Sequence, residues 1–547
     1  MDQARPRVKR VYFVPATSNR LDTFIGSTFI SIASGIGITL SLAPFNYWPL
    51  AILSAGCLFL LMQGKNIRQA AIFGWLFGLG LFGSGASWVY VSIHDFAYTS
   101  TAMAAFLTAL FCACLALFCA LTWGFYLWVL NGFKFTTINK NKTSYGSWLP
   151  VLLFASIWVL GEWLRSWLLT GFPWLFVGYS QTESILSPWA SIVGVYGISF
   201  IIVASGAQIA VLGNRFIRKN ISGSAQANDT QKIAAVSISL LIVWLLPVAV
   251  AFPSWTEKND RAITVSMVQA NISQHDKWQR KYRQQHLALY LRLTDPHWQS
   301  SDVIIWPEAA IPIFHDRAFA LLDTLNDRAN SNQSAFITGI PTRDLNSSSR
   351  YNSLIALGTG KGSYQKQKLV PFGEYIPFVN VLGNLLAFFD LPVAVMSAGD
   401  PKQSPLEIDG WRAQPLICYE VVYPNFTAKA AANSQVLITV SNDSWFGRSI
   451  GPLQHLQMAQ MRAIENQQYV LRSTGNGVTA IIDPNGNITQ RSEQFEQAVV
   501  SGEFFTISGQ TPWTRYGYWL IPSLCGMLCI SSGILIRRQQ YERLEAS

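Results

Sequence analysis

Eight apolar runs, nearly free of charged residues, decide what this chain can fold into. They cover residues 24–44, 47–63, 70–92, 102–130, 148–170, 187–213, 233–252 and 516–536. A helix that crosses the hydrocarbon core of a bilayer needs about 20 such residues. We therefore predict an α-helical membrane bundle of eight spans. The first run is too long for a signal peptide and further runs follow at once, so we expect it to remain as an uncleaved helix.

Lysine and arginine alternate between the segments that connect these runs. They occur in the N-terminal segment and after the second, fourth, sixth and eighth runs, whereas the segments near 44–46, 93–101 and 171–186 contain none. Because cytoplasmic loops carry the excess of basic residues, both termini are predicted to lie in the cytoplasm. The long polar segment then lies on the extracytoplasmic, periplasmic side of a bacterial inner membrane.

The predicted domain order follows from these runs. It is a basic cytoplasmic N-terminus (1–22), a membrane domain with seven spans (23–252), an extracytoplasmic domain (253–515), the eighth span (516–536) and a cytoplasmic tail (537–547). Only 13% of the residues are charged, against roughly 25% in soluble proteins. The topology accounts for the net charge of +10, and since there is no basic helix or aromatic-basic platform, no nucleic-acid partner is predicted.

The membrane half contains two features of interest. Glu162 and Arg165 lie three residues apart in the fifth run, so they share a helix face and can form an ion pair. Charges inside a span usually face a protein interior or a water-filled cavity, which leaves a substrate role open beside a structural one. The aromatic loop 171–176 is either an interfacial belt or a rim for lipid access.

The extracytoplasmic segment alternates short β-branched runs with amphipathic stretches, which predicts an α/β layered domain. The predicted helices are 277–293, 319–329 and 453–467. The predicted strands are 262–268, 303–306, 335–340, 352–357, 363–369, 415–418, 435–440, 469–473 and 479–482. About 250 residues of this kind are enough to bury a core of their own.

Three of the predicted strands carry a reactive or charged side chain at or near their end. Glu308 follows the strand 303–306, Lys366 lies in the strand 363–369, and Cys418 ends the strand 415–418. Together they form a coherent catalytic set, in which the carboxylate is a general base, the thiol a nucleophile and the ammonium a stabiliser of negative charge. Each alone also fits an ordinary strand-end residue, and a lone cysteine is often simply buried.

These residues lie in motifs that resemble the nitrilase superfamily, whose Glu-Lys-Cys triad has the same order. Within it, the chain is similar to the apolipoprotein N-acyltransferase family, which is integral to the membrane. The motifs are TGFPWLFVGYSQ (170–181), WPEAAIP (306–312), YQKQKLVPFGEYIP (364–377), ICYEVVYP (417–424), SNDSWFG (441–447), HLQMAQMRAIE (455–465) and RSTGNGVTAIIDPNG (472–486). The resemblance implies a nitrilase-like α-β-β-α sandwich outside the membrane.

The resemblance also implies roles for individual residues. Glu308 is the base, Lys366 stabilises the oxyanion and Cys418 is the nucleophile. The remaining residues support the site or bind substrate: Glu374, Tyr419, Glu420 and Trp278. The chain departs from the family at Lys368, where His or Arg is frequent, and at 474–477, where Thr-Asn-Asn-Gly is frequent. Lys366 and Lys368 are two apart on a predicted strand and would share a face.

The implied reaction moves a fatty acyl chain from a membrane phospholipid, with phosphatidylethanolamine as the expected donor, to Cys418 as a thioester. The α-amine of a diacylated lipoprotein then accepts it. A membrane-anchored amidase that uses water as acceptor remains an alternative, as does a transporter with an outer binding domain. The enzyme is expected to be a monomer.

A thioester must be kept from water, so an apolar lid is expected. Phe372, Phe388 and Phe389 are candidates for it, with ordinary packing as the equal alternative. No cofactor or metal is predicted, because the six histidines show no ligand spacing and no glycine-rich phosphate loop is present. His455 is expected to be a structural residue of its helix.

Overall fold

The computed structural model describes residues 20–96, 99–133, 148–222, 230–250, 252–347, 349–377 and 396–545. Every predicted apolar run forms a helix in this part of the chain. The helices are α1 (Arg20–Leu40), α2 (Pro49–Met62), α3 (Ile67–Gly85), α4 (Thr101–Leu130), α5 (Trp148–Arg165), α6 (Ala190–Ser222), α7 (Thr230–Ala249) and, near the C-terminus, α12 (Tyr518–Glu545).

Not all of these helices are long enough to cross a bilayer. Five in the described ranges have the length and apolar composition of a span, and a sixth is counted if α3 and the stretch Val89–Phe96, bent by 62°, form one broken span. The apolar stretches Phe24–Leu40 and Pro49–Met62 are shorter. The structure therefore has several apolar helices in its N-terminal part, whereas the predicted number of eight full spans is not reached by length alone.

Small residues allow the bundle helices to approach closely. A Cβ atom on Gly78 of α3 would lie 2.8 Å from the Cβ of Ala116 on α4. A Cβ atom on Gly80, also on α3, would lie 2.2 Å from the backbone oxygen of Ile32 on α1. Because helices in lipid gain little from hydrophobic burial, close backbone contact of this kind holds them together.

Residues 253–515, which are predicted to lie outside the membrane and are called the outer domain below, contain two β-sheets. The strands of the first are β1 (Thr256–Gln269), β2 (Val303–Ile305), β3 (Ala335–Arg343), β4 (Arg350–Gly358), β6 (Ser363–Gln365) and β13 (Ala498–Gly509), in the order β13-β1-β2-β3-β4-β6. Those of the second are β5 (Gly360–Lys361), β7 (Leu406–Ile408), β8 (Trp411–Ile417), β9 (Val436–Ser441), β10 (Val470–Thr474), β11 (Ala480–Ile482) and β12 (Ile488–Arg491), in the order β12-β11-β10-β9-β8-β7-β5.

The two sheets share one apolar core, and helices cover their outer faces. Val265 and Ile337 of the first sheet belong to the same buried cluster as Ile438 and Leu471 of the second. The helices α8 (Arg283–Thr294) and α9 (Phe319–Ser331) contribute to a separate cluster with the first sheet. The helices α10 (Pro424–Ala431) and α11 (Gly451–Asn466) lie against the second. This gives the α-β-β-α order of layers.

The helix α11 joins the outer domain to the bundle. All of its residues except Leu453 are buried. The side-chain oxygen of Gln457 accepts a hydrogen bond from the backbone N–H of Ala43 at 3.0 Å, and that of Glu465 accepts one from Val195 at 2.8 Å. One apolar cluster runs from the bundle into α11. The two halves therefore share a core across this helix.

Several predicted boundaries are wrong. The predicted helix 277–293 is broken, because a short helix ends at Lys277 and α8 begins only at Arg283. The predicted strand 363–369 ends at Gln365, and the strand that was expected to include Cys418 ends at Ile417. Each boundary lies at a side chain that contributes to the site described next: Lys277 is the last residue of its short helix, and Lys366 and Cys418 follow directly after their strands.

Candidate active site

Three strand ends meet at one edge of the sandwich and bring the predicted triad together. Glu308 follows β2, Lys366 follows β6 and Cys418 follows β8. The Nζ atom of Lys366 lies 3.7 Å from Oε1 of Glu308. The charges of Glu308 and Lys366 both act on the Cys418 thiol. Loops that follow strand ends are where an α/β domain assembles residues that are distant in sequence.

Glu308 is held by hydrogen bonds to both oxygens of its carboxylate. Asn352 donates its side-chain N–H to Oε1 at 2.7 Å. The backbone N–H of Asn442, just after β9, donates to Oε2 at 2.7 Å. Glu308 is 7% exposed, so its orientation is fixed by these donors and by the packing around them. A carboxylate held in this way is ready to accept a proton from a neighbouring thiol.

Lys366 is almost completely buried and bound to a second carboxylate. Its Nζ lies 2.8 Å from Oε2 of Glu374. Burial acts to lower the pKa of Lys366, but Glu374, then Glu308 and Cys418, more than offset it, and the net pKa is raised above its usual range. The ammonium therefore stays charged at any working pH. Glu374 also accepts a hydrogen bond from the backbone N–H of Val370 at 2.8 Å.

Cys418 occupies a tight turn directly after β8. Its φ of +52° is in the left-handed region, which a non-glycine residue adopts at a cost and which is frequent at functional turns. Burial raises the pKa of the thiol to about 12; Glu308 adds to this and Lys366 opposes it. At neutral pH the thiol is therefore protonated, and attack on a carbonyl group requires a base.

Glu420, fully buried, ties the nucleophile turn to the lysine segment. Its Oε2 accepts the backbone N–H of Ile417 at 2.7 Å. Its Oε1 accepts the backbone N–H groups of Gln367 and Lys368 at 2.7 and 3.1 Å. The hydroxyl of Tyr364 also donates to Oε1, at 3.0 Å. One carboxylate thus fixes the position of the thiol relative to Lys366.

His455 of α11 supports the same turn from the other side. Its Nε2 lies 3.2 Å from the carbonyl oxygen of Cys418. Because a carbonyl only accepts, the proton is assigned to Nε2. Its Nδ1 faces Arg472 at 3.2 Å and Asp443 at 3.3 Å. Arg472 in turn donates to Asp443 at 2.6 Å. His455 therefore acts on the site through the backbone of the nucleophile.

Tyr419 connects the nucleophile turn to the aromatic loop of the bundle. Its hydroxyl donates to the carbonyl oxygen of Gly171 at 3.3 Å. Its ring stacks on that of Trp174, with centroids 6.4 Å apart and an interplanar angle of 13°. Tyr423 donates to the carbonyl of Thr170 at 3.0 Å. The loop 171–176 is thus largely buried against the nucleophile turn. The sequence-based interpretations of this loop, an interfacial belt or a rim for lipid access, did not include this contact.

Glu162 and Arg165 hold this loop rather than each other. Arg165 Nη1 donates to the carbonyl oxygens of Phe172 and Trp174 at 2.9 and 2.5 Å. Glu162 Oε1 accepts the backbone N–H of Val177 at 2.9 Å. Among the ion pairs in the described ranges, none joins these two side chains. The predicted pair is therefore replaced by two separate contacts with the loop backbone.

The remaining predicted residues in the described ranges are exposed. Trp278 is 49% exposed and follows the short helix that ends at Lys277. Lys368 is exposed and faces the rings of Tyr423 and Phe426 at 5.7 and 5.9 Å. It does not share a face with Lys366, because the strand has already ended. Of the lid candidates, Phe372 is 47% exposed, whereas positions 388 and 389 lie outside the described residues.

Sequence reasoning missed four side chains that support the triad. Asn352 bridges the two carboxylates, donating also to Glu374 at 3.2 Å. Asp443 and Arg472 lie behind His455, and Lys277 donates to the backbone carbonyl of Glu308 at 3.0 Å. Asp443 and Arg472 belong to the quoted motifs 441–447 and 472–486, so a signal existed for them. Asn352 and Lys277 had none.

The arrangement can perform acyl transfer through a covalent intermediate. A neutral thiol lies beside a fixed carboxylate that can take its proton, and a permanent cation is available for the negative charge of a tetrahedral intermediate.

Comparison with known proteins extends over almost the whole chain. Residues 34–208 match the family model for the apolipoprotein N-acyltransferase N-terminal domain, and residues 264–504 match that for carbon-nitrogen hydrolase. The apolipoprotein N-acyltransferase of Pseudomonas paraeruginosa is 41% identical over 518 residues, which are 94% of this chain and 97% of that one. The protein of the same name from Coxiella burnetii is 36% identical over 494 residues, 90% of this chain and 97% of that one.

A solved structure is also similar to part of the chain. It is a CN-hydrolase superfamily protein from Xanthomonas campestris, 20% identical, that covers 45% of this chain and 91% of its own, with a TM-score of 0.34.

Proposed function

The chain belongs to the apolipoprotein N-acyltransferase family, and from this premise we propose how this acyltransferase works. It takes a fatty acyl chain from a membrane phospholipid, holds it as a thioester on Cys418, and passes it to the α-amine of the N-terminal diacylglyceryl-cysteine of an apolipoprotein. The observation that carries the proposal is the convergence of Glu308, Lys366 and Cys418 at one edge of the sandwich.

In the first half-reaction, Glu308 takes the proton of the Cys418 thiol while the sulfur attacks the ester carbonyl of the phospholipid. The oxyanion of the tetrahedral intermediate is stabilised by Lys366, which Glu374 keeps in place. The carbon–oxygen bond then breaks, and Glu308 returns the proton to the departing oxygen of the lysophospholipid. The acyl group remains on sulfur as a thioester.

In the second half-reaction, the acceptor loses one proton from its α-ammonium to solvent and attacks the thioester as the neutral amine. Glu308 takes the second proton from nitrogen. The carbon–sulfur bond breaks, and the thiolate of Cys418 regains a proton from Glu308. An amide and the free thiol result, so the enzyme returns to its starting state.

We further propose the arrangement of the chain in the inner membrane. The bundle has eight membrane-embedded helices, both termini are cytoplasmic, and the domain 253–515 is periplasmic. The alternation of basic segments supports this orientation. Moving a phospholipid out of the bilayer costs about 0.8 kcal/mol per buried CH₂. The contacts of α11 with the bundle would keep the site near the lipid. The proposed acyl donor is phosphatidylethanolamine. Trp278 is proposed to contact this lipid as it enters the site, and the enzyme is proposed to act as a monomer.

The decisive experiment is the mass of the peptide that contains Cys418. Detergent-purified protein is incubated with phosphatidylethanolamine and no acceptor, beside the variants Cys418→Ser and, as a matched control, Cys57→Ser. A fatty-acyl increment on Cys418 that a diacylated lipopeptide or hydroxylamine removes is expected in the wild type and in the Cys57 variant only. Absence of the increment from folded protein in several phospholipids would refute the acyl-donor assignment and favour the amidase alternative.

The orientation is tested separately by cysteine labelling. Spheroplasts that carry Ser300→Cys in the outer domain, or Arg68→Cys in the first turn of α3, are treated with a membrane-impermeant maleimide. The proposal expects labelling of position 300 in intact spheroplasts and of position 68 only after permeabilisation, above the background of the unsubstituted protein. The reverse pattern would invert the topology.

A further inference from the structure

A second lysine is buried beside the triad. Lys277 is 6% exposed, although the residues that follow it in sequence, Trp278 and Lys281, are exposed. Its Nζ donates to the backbone carbonyl oxygen of Glu308 at 3.0 Å. A buried ammonium is costly unless charges or acceptors compensate it. The position of Lys277 therefore needs an explanation beyond the helix it ends.

The compensation comes from the reacting groups. The carboxylate of Glu308 opposes the effect of burial on the pKa of Lys277, and Cys418 does so once it carries negative charge. The charge of Lys277 also contributes, after burial, to the lowered pKa of His286 on α8. Lys366 faces the same Glu308 at 3.7 Å. Lys277 thus lies on the backbone side of the general base, within electrostatic reach of the nucleophile.

The net charge of the site explains why a second ammonium is useful there. Two carboxylates, Glu308 and Glu374, share one ammonium on Lys366, which leaves one net negative charge before the reaction starts. Negative charge on the sulfur of Cys418 is hardest to form in such surroundings, since like charges oppose it. A second ammonium cancels the excess.

We propose that Lys277 is a positioning residue for acylation, which fixes the backbone of Glu308 and offsets the negative charge that Cys418 carries during attack. This inference rests on the proposed function, since it needs Glu308 to be the base and Cys418 the nucleophile. It adds a second cation, which contacts the backbone of the base, whereas Lys366 faces its carboxylate.

The role of Lys277 should appear in the dependence of the acylation rate on pH. Burial lowers the pKa of Lys277 to about 8, while Glu308 and Cys418 oppose this shift. Below that pH the side chain is charged and acylation is supported in full. As the pH rises through about 8 the charge is lost and the acylation rate falls. Lys366, whose pKa is raised, stays charged over the same range.

Three variants separate this role from simple packing. Lys277→Met keeps the apolar stem without the charge, Lys277→Arg keeps a permanent charge, and Lys281→Met removes an exposed cation nearby as the matched control. The rate of the acyl increment on Cys418 is measured with phosphatidylethanolamine in detergent and no acceptor, from about pH 6 to about pH 9.5. Thermal midpoints establish that each variant is folded.

We expect Lys277→Met to acylate at least about tenfold more slowly at neutral pH and to lose the decline near pH 8. Lys277→Arg should keep most of the rate at neutral pH and retain it at higher pH. Lys281→Met should behave as the wild type. Lys277→Met should also slow the alkylation of Cys418 by iodoacetamide, read from the same peptide, because the reactive thiolate is less favoured.

Three results overturn the proposal: a folded Lys277→Met with wild-type rate and pH profile, a wild-type profile that does not decline near pH 8, or unchanged alkylation of Cys418 in Lys277→Met. If the variants do not fold, the dependence of the wild-type acylation rate on pH decides whether the proposal stands. A wild type that forms no adduct at all is a different result, since it refutes the proposed function itself.

Discussion

The carboxylate of Glu420 accepts the backbone N–H of Gln367 at 2.7 Å, and this contact links the segment that carries Lys366 to the turn that carries Cys418. The two residues are 53 positions apart and lie after strands of different sheets, β6 and β8. One buried side chain therefore helps to set the spacing between the nucleophile and the cation.

Replacing Glu420 by glutamine should disrupt that spacing. A glutamine NH₂ group would face N–H donors that the carboxylate now accepts, and each unsatisfied buried group costs about 1–3 kcal/mol. We expect a lower thermal midpoint and an acylation rate at least about tenfold lower. The exposed Glu407→Gln on β7 is the control. Wild-type acylation by a folded Glu420→Gln would contradict the role.

The two neighbouring lysines should differ sharply. Lys366→Met leaves Glu308 and Glu374 without their cation and removes the stabiliser of the oxyanion, so acylation should fall by about 10²–10³. Lys368→Met should lose less than about threefold, because that side chain is exposed over two rings. Both rates are read from the mass of the Cys418 peptide. A larger loss in Lys368→Met than in Lys366→Met would reverse the assignment.

His455 should give the protein a specific acid sensitivity. Burial, together with Arg472, holds the pKa of His455 below its usual value, so the folded protein keeps the ring neutral where the unfolded chain takes up a proton. The stability from this group is present above about pH 6.5 and falls at lower pH by up to about 1.4 kcal/mol per unit.

The variant His455→Gln isolates this effect. Its thermal midpoint should lie below that of the wild type at pH about 7.5, and the gap should narrow as the pH is lowered towards about 5. Acylation should slow by about tenfold, because a glutamine side chain does not reproduce the geometry in which the imidazole donates to the Cys418 carbonyl and faces Asp443 and Arg472. A constant gap between the two proteins over this pH range would show that the imidazole does not titrate as described.

Arg165 should be irreplaceable by lysine. Its guanidinium donates to two loop carbonyls and lies between the rings of Phe82 and Phe176, at 5.1 and 5.0 Å. A lysine ammonium cannot reproduce this planar contact. Arg165→Lys should lower the thermal midpoint. It should also slow acylation severalfold, because the loop accepts a hydrogen bond from the hydroxyl of Tyr419, the residue next to the nucleophile. Arg68→Lys, exposed on α3, is the control, and an equal effect in both would exclude a role for the loop.

The general layout could be predicted from the sequence, because long apolar runs and alternating β-branched runs report burial directly. The meeting of Glu308, Lys366 and Cys418 was expected, since motif order and strand ends both pointed to it. The left-handed turn at Cys418 could not be predicted. An apolar run that precedes a cysteine has the same pattern whether the strand ends before or after that residue.

Tertiary contacts explain the other failures. Lys277 was assigned to the start of an amphipathic helix, where a lysine is normally exposed, and only the approach of Glu308, 31 positions away, buries it. The spacing of Glu162 and Arg165 predicted a local pair, but backbone groups of the loop compete for both charges. Local periodicity contains no information about such partners.

The packing of α12 has a consequence for the order in which the protein is made. This last helix lies beside α5 and also contacts α4, both of which precede the whole outer domain in the chain. When the ribosome has synthesised α4 and α5, more than half of the polypeptide remains to be made. Until α12 is synthesised, the surface of α4 and α5 that it covers stays open. The helix that completes this flank is synthesised only after the sandwich, so assembly of the two halves is coupled in time as well as in space.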